Sequence, residues 1–411
     1  MAITEEIGCR VCDGLLQEVL DFGSIYPSAF IKEGETVSED TKAPLVLCKC
    51  DKCGLVQLKH TIDLDLMYRQ YWYSSSLNKS MVTSLKEIVA EIEGRRVLKD
   101  GDVILDIGCN DGTLLESYIF YKNLQLVGFD PALNVAKEKY DYAFVNDYFS
   151  ADKYKWGKAK VVTAIAMFYD LPDPNKFVSD VAQILHEDGI FVIQFTDLLS
   201  MIKLTAFDNI CHEHLEYYRL DDVDRILKAN GLQIIDVSYN NVNGGSLRVT
   251  ASHEGTYTPN WGVQEFLIQE FNYLQGHTLE DFKENVEKVK FKLSSFLKWA
   301  KGHGHQVYSL GASTKGNTLL QLCGVTEDLV PYAAEVNKDK FGLRTVGSNI
   351  KIISEDEALI KHPDYFIVPV WHFRDSILSN VKIQDYINSN GRLLFPLPEF
   401  TVYTTTGGYK L

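Results

Sequence analysis

The stretch Val103-Ile-Leu-Asp-Ile-Gly-Cys-Asn-Asp-Gly112 restricts the fold more than any other part of the chain. Five residues dominated by branched apolar side chains read as a strand buried on both faces, and the glycines at 108 and 112 mark a tight turn directly after it. A strand running into a glycine turn and then a helix opens a parallel α/β unit. The pattern continues. Short β runs at 125–129, 161–165 and 189–194 alternate with helical segments, which predicts a parallel sheet covered on both faces. The unit closes with β runs at 234–237 and 246–251, either side of Asn243-Gly-Gly-Ser246. A second sequence of strand, glycine turn and helix starts at Gln306-Val-Tyr-Ser-Leu-Gly-Ala-Ser-Thr-Lys-Gly-Asn317 and carries on through 330–335, 365–369 and 392–396, so a second α/β unit is expected.

A chain of 411 residues exceeds what one hydrophobic core organises. The expected division is a small domain at 1–60, a helical connector covering the active site at 61–98, the first α/β domain at 99–255, a helical linker at 256–303 and the carboxyl-terminal α/β domain at 304–411. The first sixty residues show no sustained helical period but contain Cys9-Arg-Val-Cys12 and Cys50-Asp-Lys-Cys53. Each Cys-x-x-Cys turn presents two thiolates on one side, and two turns complete a tetrahedral shell for structural zinc. Residues 21–27 and 32–41 are expected to be the irregular parts of the insertion between them. Within the connector, Tyr68, Tyr71, Trp72 and Tyr73 cluster ahead of an amphipathic helical run from Met81. They suit a core contact and the wall of a ligand site equally.

A net charge of −15, with no block of Lys or Arg, argues against a nucleic-acid partner. No window holds the roughly 18 consecutive apolar residues of a membrane span, and the amino terminus lacks the pattern of a signal peptide. The expectation is a cytoplasmic protein with neither membrane nor nucleic-acid partner, and a monomer as the default state.

The chemistry is concentrated in three places. In the first glycine turn, Asp106 and Asp111 set carboxylates beside Gly108, Asn110 and Gly112; acids there repel a pyrophosphate and suit the cationic sulfonium and amino groups of S-adenosylmethionine (SAM). Asp130, ending the next strand, is placed to hold a ribose diol. Met167 and Tyr169, ending a later strand, are candidates to line the same pocket, and Tyr169 and Asp170 also admit a role in proton transfer. The second place is Phe207-Asp-Asn-Ile-Cys-His-Glu-His-Leu-Glu-Tyr-Tyr218, where His-Glu-His suits proton abstraction, because a carboxylate beside an imidazole raises its basicity. The third is the turn Gly311-Ala-Ser-Thr-Lys-Gly-Asn-Thr318, where Lys315 sits among small residues and backbone N–H groups at a helix start. It could cradle a diphosphate or simply begin a helix.

Taken in order, the Cys-x-x-Cys pairs, the Asp-Ile-Gly-x-Asn-Asp-Gly loop, His-Glu-His, Asn-Gly-Gly-Ser and Gly-Ala-Ser-x-Lys-Gly-Asn-Thr resemble the sugar C-methyltransferases acting on nucleotide-linked 4-keto-6-deoxyhexoses, over essentially the whole chain. The resemblance implies a zinc-binding amino-terminal domain, a central class I SAM methyltransferase domain of Rossmann-like fold, and a carboxyl-terminal Rossmann-like domain that helps bind the nucleotide sugar. It implies deprotonation at C3 followed by C-methylation, giving a branched-chain deoxysugar. By resemblance His214 is the base and Glu213 or Glu216 orients or polarises it; because Cys211 stands where relatives carry a tyrosine, steadying of the enolate would fall to Tyr73 or Tyr217. The substrate would meet Tyr71, His212, Asn243, Ser313, Lys315 and Asn317, with Asn337 and Lys340 as further contacts. The chain departs from the family in carrying Cys211, where relatives have tyrosine, and Tyr169-Asp170, where relatives often have a histidine nearby.

Three other readings fit parts of this pattern. One is a SAM-dependent O- or N-methyltransferase on a similar scaffold. Another is a zinc-dependent interaction module. The third makes His212, Glu213 and His214 ligands of a catalytic metal.

Overall fold

The apolar runs around the first glycine turn form the centre of a seven-stranded sheet in the computed structural model, which describes residues 2–69, 72–135 and 141–411. Val103–Ile107 lies between Gln125–Phe129 and Ala159–Ile165; Ala143–Val145 and Leu185–Thr196 continue the parallel order on either side. Ser246–His253 pairs antiparallel with Leu185–Thr196, and Leu232–Asn240 closes that edge. Every residue of Val103–Ile107 is buried, as a central parallel strand covered on both faces requires. The short Ala143–Val145 strand, with intermediate burial throughout, carries too little apolar pattern to be read from the sequence.

The carboxyl-terminal unit is a nine-stranded sheet whose parallel centre is Arg392–Phe395, Tyr365–Ile367, Val307–Leu310, Tyr332–Glu335 and Lys351–Ser354. The hairpin Thr401–Thr404 and Gly407–Lys410 extends one edge. At the other edge Leu343–Thr345 pairs with Phe30–Lys32, a strand from the amino-terminal part of the chain. The exchange also runs the other way. Glu216–Tyr217, just after His-Glu-His, pairs with Val56 and Gln57 and completes a four-stranded sheet with Ala43–Cys50 and Leu16–Ile25. Phe30, Leu47, Phe207, Leu297 and Phe366 accordingly belong to one buried apolar cluster that joins the amino-terminal sheet, the His-Glu-His region, the linker helix and the carboxyl-terminal sheet.

Residues 21–27 were expected to be irregular, yet Leu16–Ile25 is one strand. The irregularity is a break in its pairing with Ala43–Cys50 between Asp21 and Ser24, at Gly23 with φ 73°. The helical run begun at Met81 is Lys79–Gly94, capped by the Asn78 side chain, and it buries Leu85, Ile88, Val89 and Ile92. Helices Gly262–Gly276 and Leu279–Gly302 join the two α/β units; Thr278 and Asp281 form a capping box at the start of the second. Among the described residues no helix is long and apolar enough to cross a membrane.

Candidate active site and zinc site

Both Cys-x-x-Cys turns converge. Cys9 Sγ lies 3.6 Å from Cys53 Sγ, and Cys12 Sγ lies 3.5 Å from Cys50 Sγ. All four sulfurs fall within 4.8 Å of one another, and none is in a disulfide. Four thiolates about 2.3 Å from one ion in a tetrahedron stand roughly 3.8 Å apart, so this set fits zinc and leaves no coordination position for water. The backbone N–H groups of Lys52 and Cys53 donate to Cys50 Sγ, the turn geometry that holds such a ligand.

The glycine turn is equally well defined. Gly108 has φ 71°, and a Cβ there would stand 3.0 Å from Met167 Cγ; Gly112 has φ 83°, and a Cβ there would collide with the Tyr142 ring. Asp130 Oδ2 accepts from the backbone N–H of Asn110 at 2.8 Å, and Oδ1 from that of Ala132 at 2.9 Å. Each carboxylate oxygen keeps a second lone pair for a ribose hydroxyl. Turn and acid together fit the adenosyl part of SAM. The two other acids are less available than their positions in the sequence imply. Asp106 lies behind the strand end and accepts from the Thr163 hydroxyl at 2.5 Å; burial pushes its carboxyl up to about 7. Asp111 accepts from the Ser74 hydroxyl at 2.6 Å, the Ser76 N–H at 2.8 Å and the Thr113 hydroxyl at 2.6 Å. Asn110 receives the Ser75 N–H and donates to the Tyr73 carbonyl. The two residues expected to face the cofactor therefore stitch segment 73–76 over the turn. Tyr73 enters this contact through its backbone, and Tyr71 lies outside the described residues.

Phe207–Asn209 is a short 3-10 helix, and the chain then turns so that His212 and His214 point to different partners. His212 Nε2 is 3.1 Å from the Ala43 carbonyl, so this ring ties the segment to the amino-terminal sheet instead of presenting itself to a substrate. His214 Nδ1 is 2.8 Å from the Asn209 carbonyl. A carbonyl only accepts, so Nδ1 carries the hydrogen and Nε2 of the neutral ring keeps its lone pair. Burial, with a smaller effect from the Lys315 charge, pushes His214 down to about 3 and holds it neutral. Its ring meets Tyr169 edge to face at 4.5 Å, which places Tyr169 against this imidazole.

The expected carboxylate partner of His214 is thus replaced by a backbone carbonyl. Glu216 faces Arg10 Nε at 3.4 Å inside the amino-terminal contact, because the strand Glu216–Tyr217 turns its side chain that way. Glu213 receives the Cys211 thiol at 3.9 Å, and burial pushes it up to about 7. The Tyr217 hydroxyl is 3.5 Å from the Asn209 carbonyl, a long contact. His212 stands apart from the metal grouping read in the sequence; the ligand atoms that lie within 4.8 Å of one another are those of Cys211, Glu213 and His214.

The carboxyl-terminal turn departs most from its expected role. Lys315 Nζ donates to Asn209 Oδ1 at 2.6 Å, so the ammonium crosses into the His-Glu-His segment. Ser313 caps its own helix through the Gly316 N–H. Asn317 is buried, donating to the Val346 carbonyl and accepting from the Ser348 hydroxyl. Asn337 caps the turn at Asp339, and Lys340 donates to the Ala312 carbonyl at 2.9 Å. Residues that bind phosphate are the same types that cap helices, and here capping and core contacts occupy them. Asn243 takes φ 54° in the turn before Gly244. Gly244 lets that turn approach Trp371, since a Cβ there would stand 2.6 Å from the indole. Trp371 Nε1 in turn donates to the buried Asp208 at 3.0 Å. Asn209, Asp208, Trp371 and the neighbouring His372, which burial pushes down to about 3, were not read from the sequence as site residues.

Segments of the chain match known protein families. The putative zinc binding domain family matches residues 9–68, the methyltransferase domain family 77–237 and the C-methyltransferase C-terminal domain family 241–398. The C-methyltransferase NovU of Streptomyces niveus is 29% identical over 407 residues, covering 95% of each chain. The tRNA U34 carboxymethyltransferase of Campylobacter lari is 27% identical over 117 residues, 26% of this chain and 37% of its own. Among solved structures, magnesium protoporphyrin IX methyltransferase from Synechocystis with bound SAM has 14% identity and a TM-score of 0.32, over 42% of this chain and 79% of that one. With a four-thiolate site at 9–53, a glycine turn and acid that fit SAM in a class I methyltransferase sheet, and family matches in the same order, the chain is a SAM-dependent methyltransferase, similar along its length to C-methyltransferases that carry an amino-terminal zinc-binding domain.

Proposed function

We propose that the enzyme removes the C3 proton of a nucleotide-linked 4-keto-6-deoxyhexose and methylates the resulting enolate at C3, giving a branched-chain sugar. The observation that carries this reading is the tautomer of His214. Its Nδ1–H is spent on the Asn209 carbonyl, and the free lone pair on Nε2 belongs to a ring that burial keeps neutral. That is the state a general base needs before it acts. The ketone at C4 acidifies the C3 proton, and SAM, when bound at Gly108–Gly112 and Asp130, supplies the electrophilic methyl group. The imidazolium formed on His214 is close to the Glu213 carboxyl, whose ionisation near neutrality can balance it. Four structural thiolates free of disulfides suit a reducing compartment, and the reading places the enzyme in the cytoplasm.

The test is a panel of dTDP-, GDP- and CDP-linked 4-keto sugars with SAM, followed by mass spectrometry and by C3 exchange in deuterium oxide. His214→Asn should retain SAM binding while losing both methylation and exchange, by about a hundredfold to ten-thousandfold. His212→Asn should keep exchange, because that ring holds the Ala43 carbonyl. Methylation by wild type with no exchange at C3 would point to transfer onto oxygen or nitrogen. Near-normal exchange in His214→Asn would remove the base assignment.

A further inference from the structure

Lys315 occupies an unusual position for a residue at a helix start. It belongs to the first turn of Thr314–Leu322 in the carboxyl-terminal domain, yet its ammonium reaches the central domain and donates to Asn209 Oδ1 at 2.6 Å. The same Asn209 holds the ring of His214 through its backbone carbonyl at 2.8 Å. One residue therefore fixes both the base and a cation, and it fixes them relative to each other.

The partner of Lys315 is a neutral amide. Among the described ion pairs none includes Lys315, although Asp208 and Glu213 lie near enough to feel its charge. His214 and His372 feel it too, from the central and the carboxyl-terminal sides. An ammonium has three donors, and the amide takes one. Among the described residues its other donors have no partner, which leaves a half-buried cation sharing Asn209 with the buried imidazole of His214. Such a group does most where negative charge develops during the reaction.

We propose that the Lys315 ammonium holds the C4 oxygen of the keto sugar as it becomes the enolate oxygen, a role that rests on the C3-deprotonation reading above. His214 Nε2 takes the C3 proton, the C–H electron pair becomes the C3–C4 double bond, and the carbonyl π pair moves onto O4, which meets Lys315. When the ketone re-forms, the O4 pair returns to the carbonyl and the C3–C4 π pair makes the bond to the methyl carbon that SAM would supply, the former S–CH3 pair staying on sulfur; the proton on His214 passes to solvent. This differs from a diphosphate contact in a measurable way. A phosphate ligand contributes to binding, whereas an enolate ligand contributes to the rate of proton removal.

The experiment compares wild type, Lys315→Met and Lys315→Arg, using a dTDP-linked 4-keto-6-deoxyhexose in deuterium oxide for C3 exchange and dTDP alone for calorimetry. Lys315→Met should lose about a hundredfold to thousandfold in exchange rate, with dTDP affinity and SAM affinity unchanged. Lys315→Arg should recover part of the rate, because a cation remains. Histidine NMR supplies a second readout that does not need turnover: without the Lys315 charge the pKa of His214 should rise, since that charge opposes imidazolium formation. Exchange in Lys315→Met close to wild type overturns the proposal, as does a loss confined to dTDP affinity, which would make Lys315 a phosphate ligand. Failure of wild type itself to exchange C3 while it methylates would instead overturn the deprotonation reading on which the proposal stands.

Discussion

Replacing Trp371 by Phe removes one hydrogen bond whose worth depends on pH in a calculable way. Asp208 is 1% exposed; burial, partly offset by the Lys315 charge and the Trp371 indole, raises its carboxyl from 3.8 to about 6. That difference means the folded protein holds the ionised carboxyl about 3 kcal/mol less favourably than the unfolded chain does. Because the folded value is the higher one, the penalty is absent below about pH 4 and grows as pH rises through about 6. Among the described residues Asp208 Oδ1 accepts no hydrogen bond of normal geometry, and the indole at 3.0 Å is the side-chain donor to Oδ2. In Trp371→Phe at about pH 8 the buried carboxylate loses a charge-assisted bond, costing about 1.5–3 kcal/mol, whereas at about pH 4 only a neutral bond of about 0.5–1.5 kcal/mol is lost. Urea unfolding followed by far-ultraviolet circular dichroism at both pH values gives the comparison. In an Asp208→Asn background the pH dependence of the substitution should vanish. An equal cost at both pH values in the wild-type background would show that the indole acts only by packing and that Asp208 is not an ionisable partner.

The zinc site and the Asn-Gly-Gly-Ser turn yield two further expectations. Purified protein should carry one zinc per chain, and Cys50→Ser should release it together with protease resistance in the first sixty residues; full resistance in metal-free protein would refute a structural role. Gly244→Ala combines φ 89° with a Cβ 2.6 Å from Trp371, so it should destabilise by at least about 1–2 kcal/mol from the backbone alone and shift tryptophan fluorescence, and an unshifted spectrum would contradict the close approach.

What could be read from the sequence were the features whose meaning is local. Cys-x-x-Cys and the glycine turn with Asp130 depend on neighbours in the chain and have their counterparts in the structure, whereas the helix expected after that turn is, among the described residues, only the 3-10 turn Leu115–Ser117. His-Glu-His singled out a buried segment, but the contacts around it depend on partners far away: His212 on Ala43, Glu216 on Arg10, and Asn209 on Lys315. The partner of His214 is a main-chain carbonyl, which every residue possesses and no residue type announces. Ser313, Asn317 and Asn337 were read as ligand contacts because small polar residues near a glycine serve phosphates and helix caps alike, and only the fold shows which need they meet.

The strand Phe30–Lys32 has a further consequence, for how the chain is made. Its partner in the sheet, Leu343–Thr345, is translated roughly 300 residues later, an interval of about 15–60 s at ordinary rates of synthesis. Until then the hydrophobic Phe30 and the unpaired backbone around it have no sheet to join, however early the zinc site closes. The nascent chain thus carries an open edge through most of its synthesis, a state prone to pairing with neighbours. The same link limits rearrangement of the gene. A carboxyl-terminal domain moved onto another enzyme would arrive without its last strand, so the two ends of this protein are expected to be inherited together.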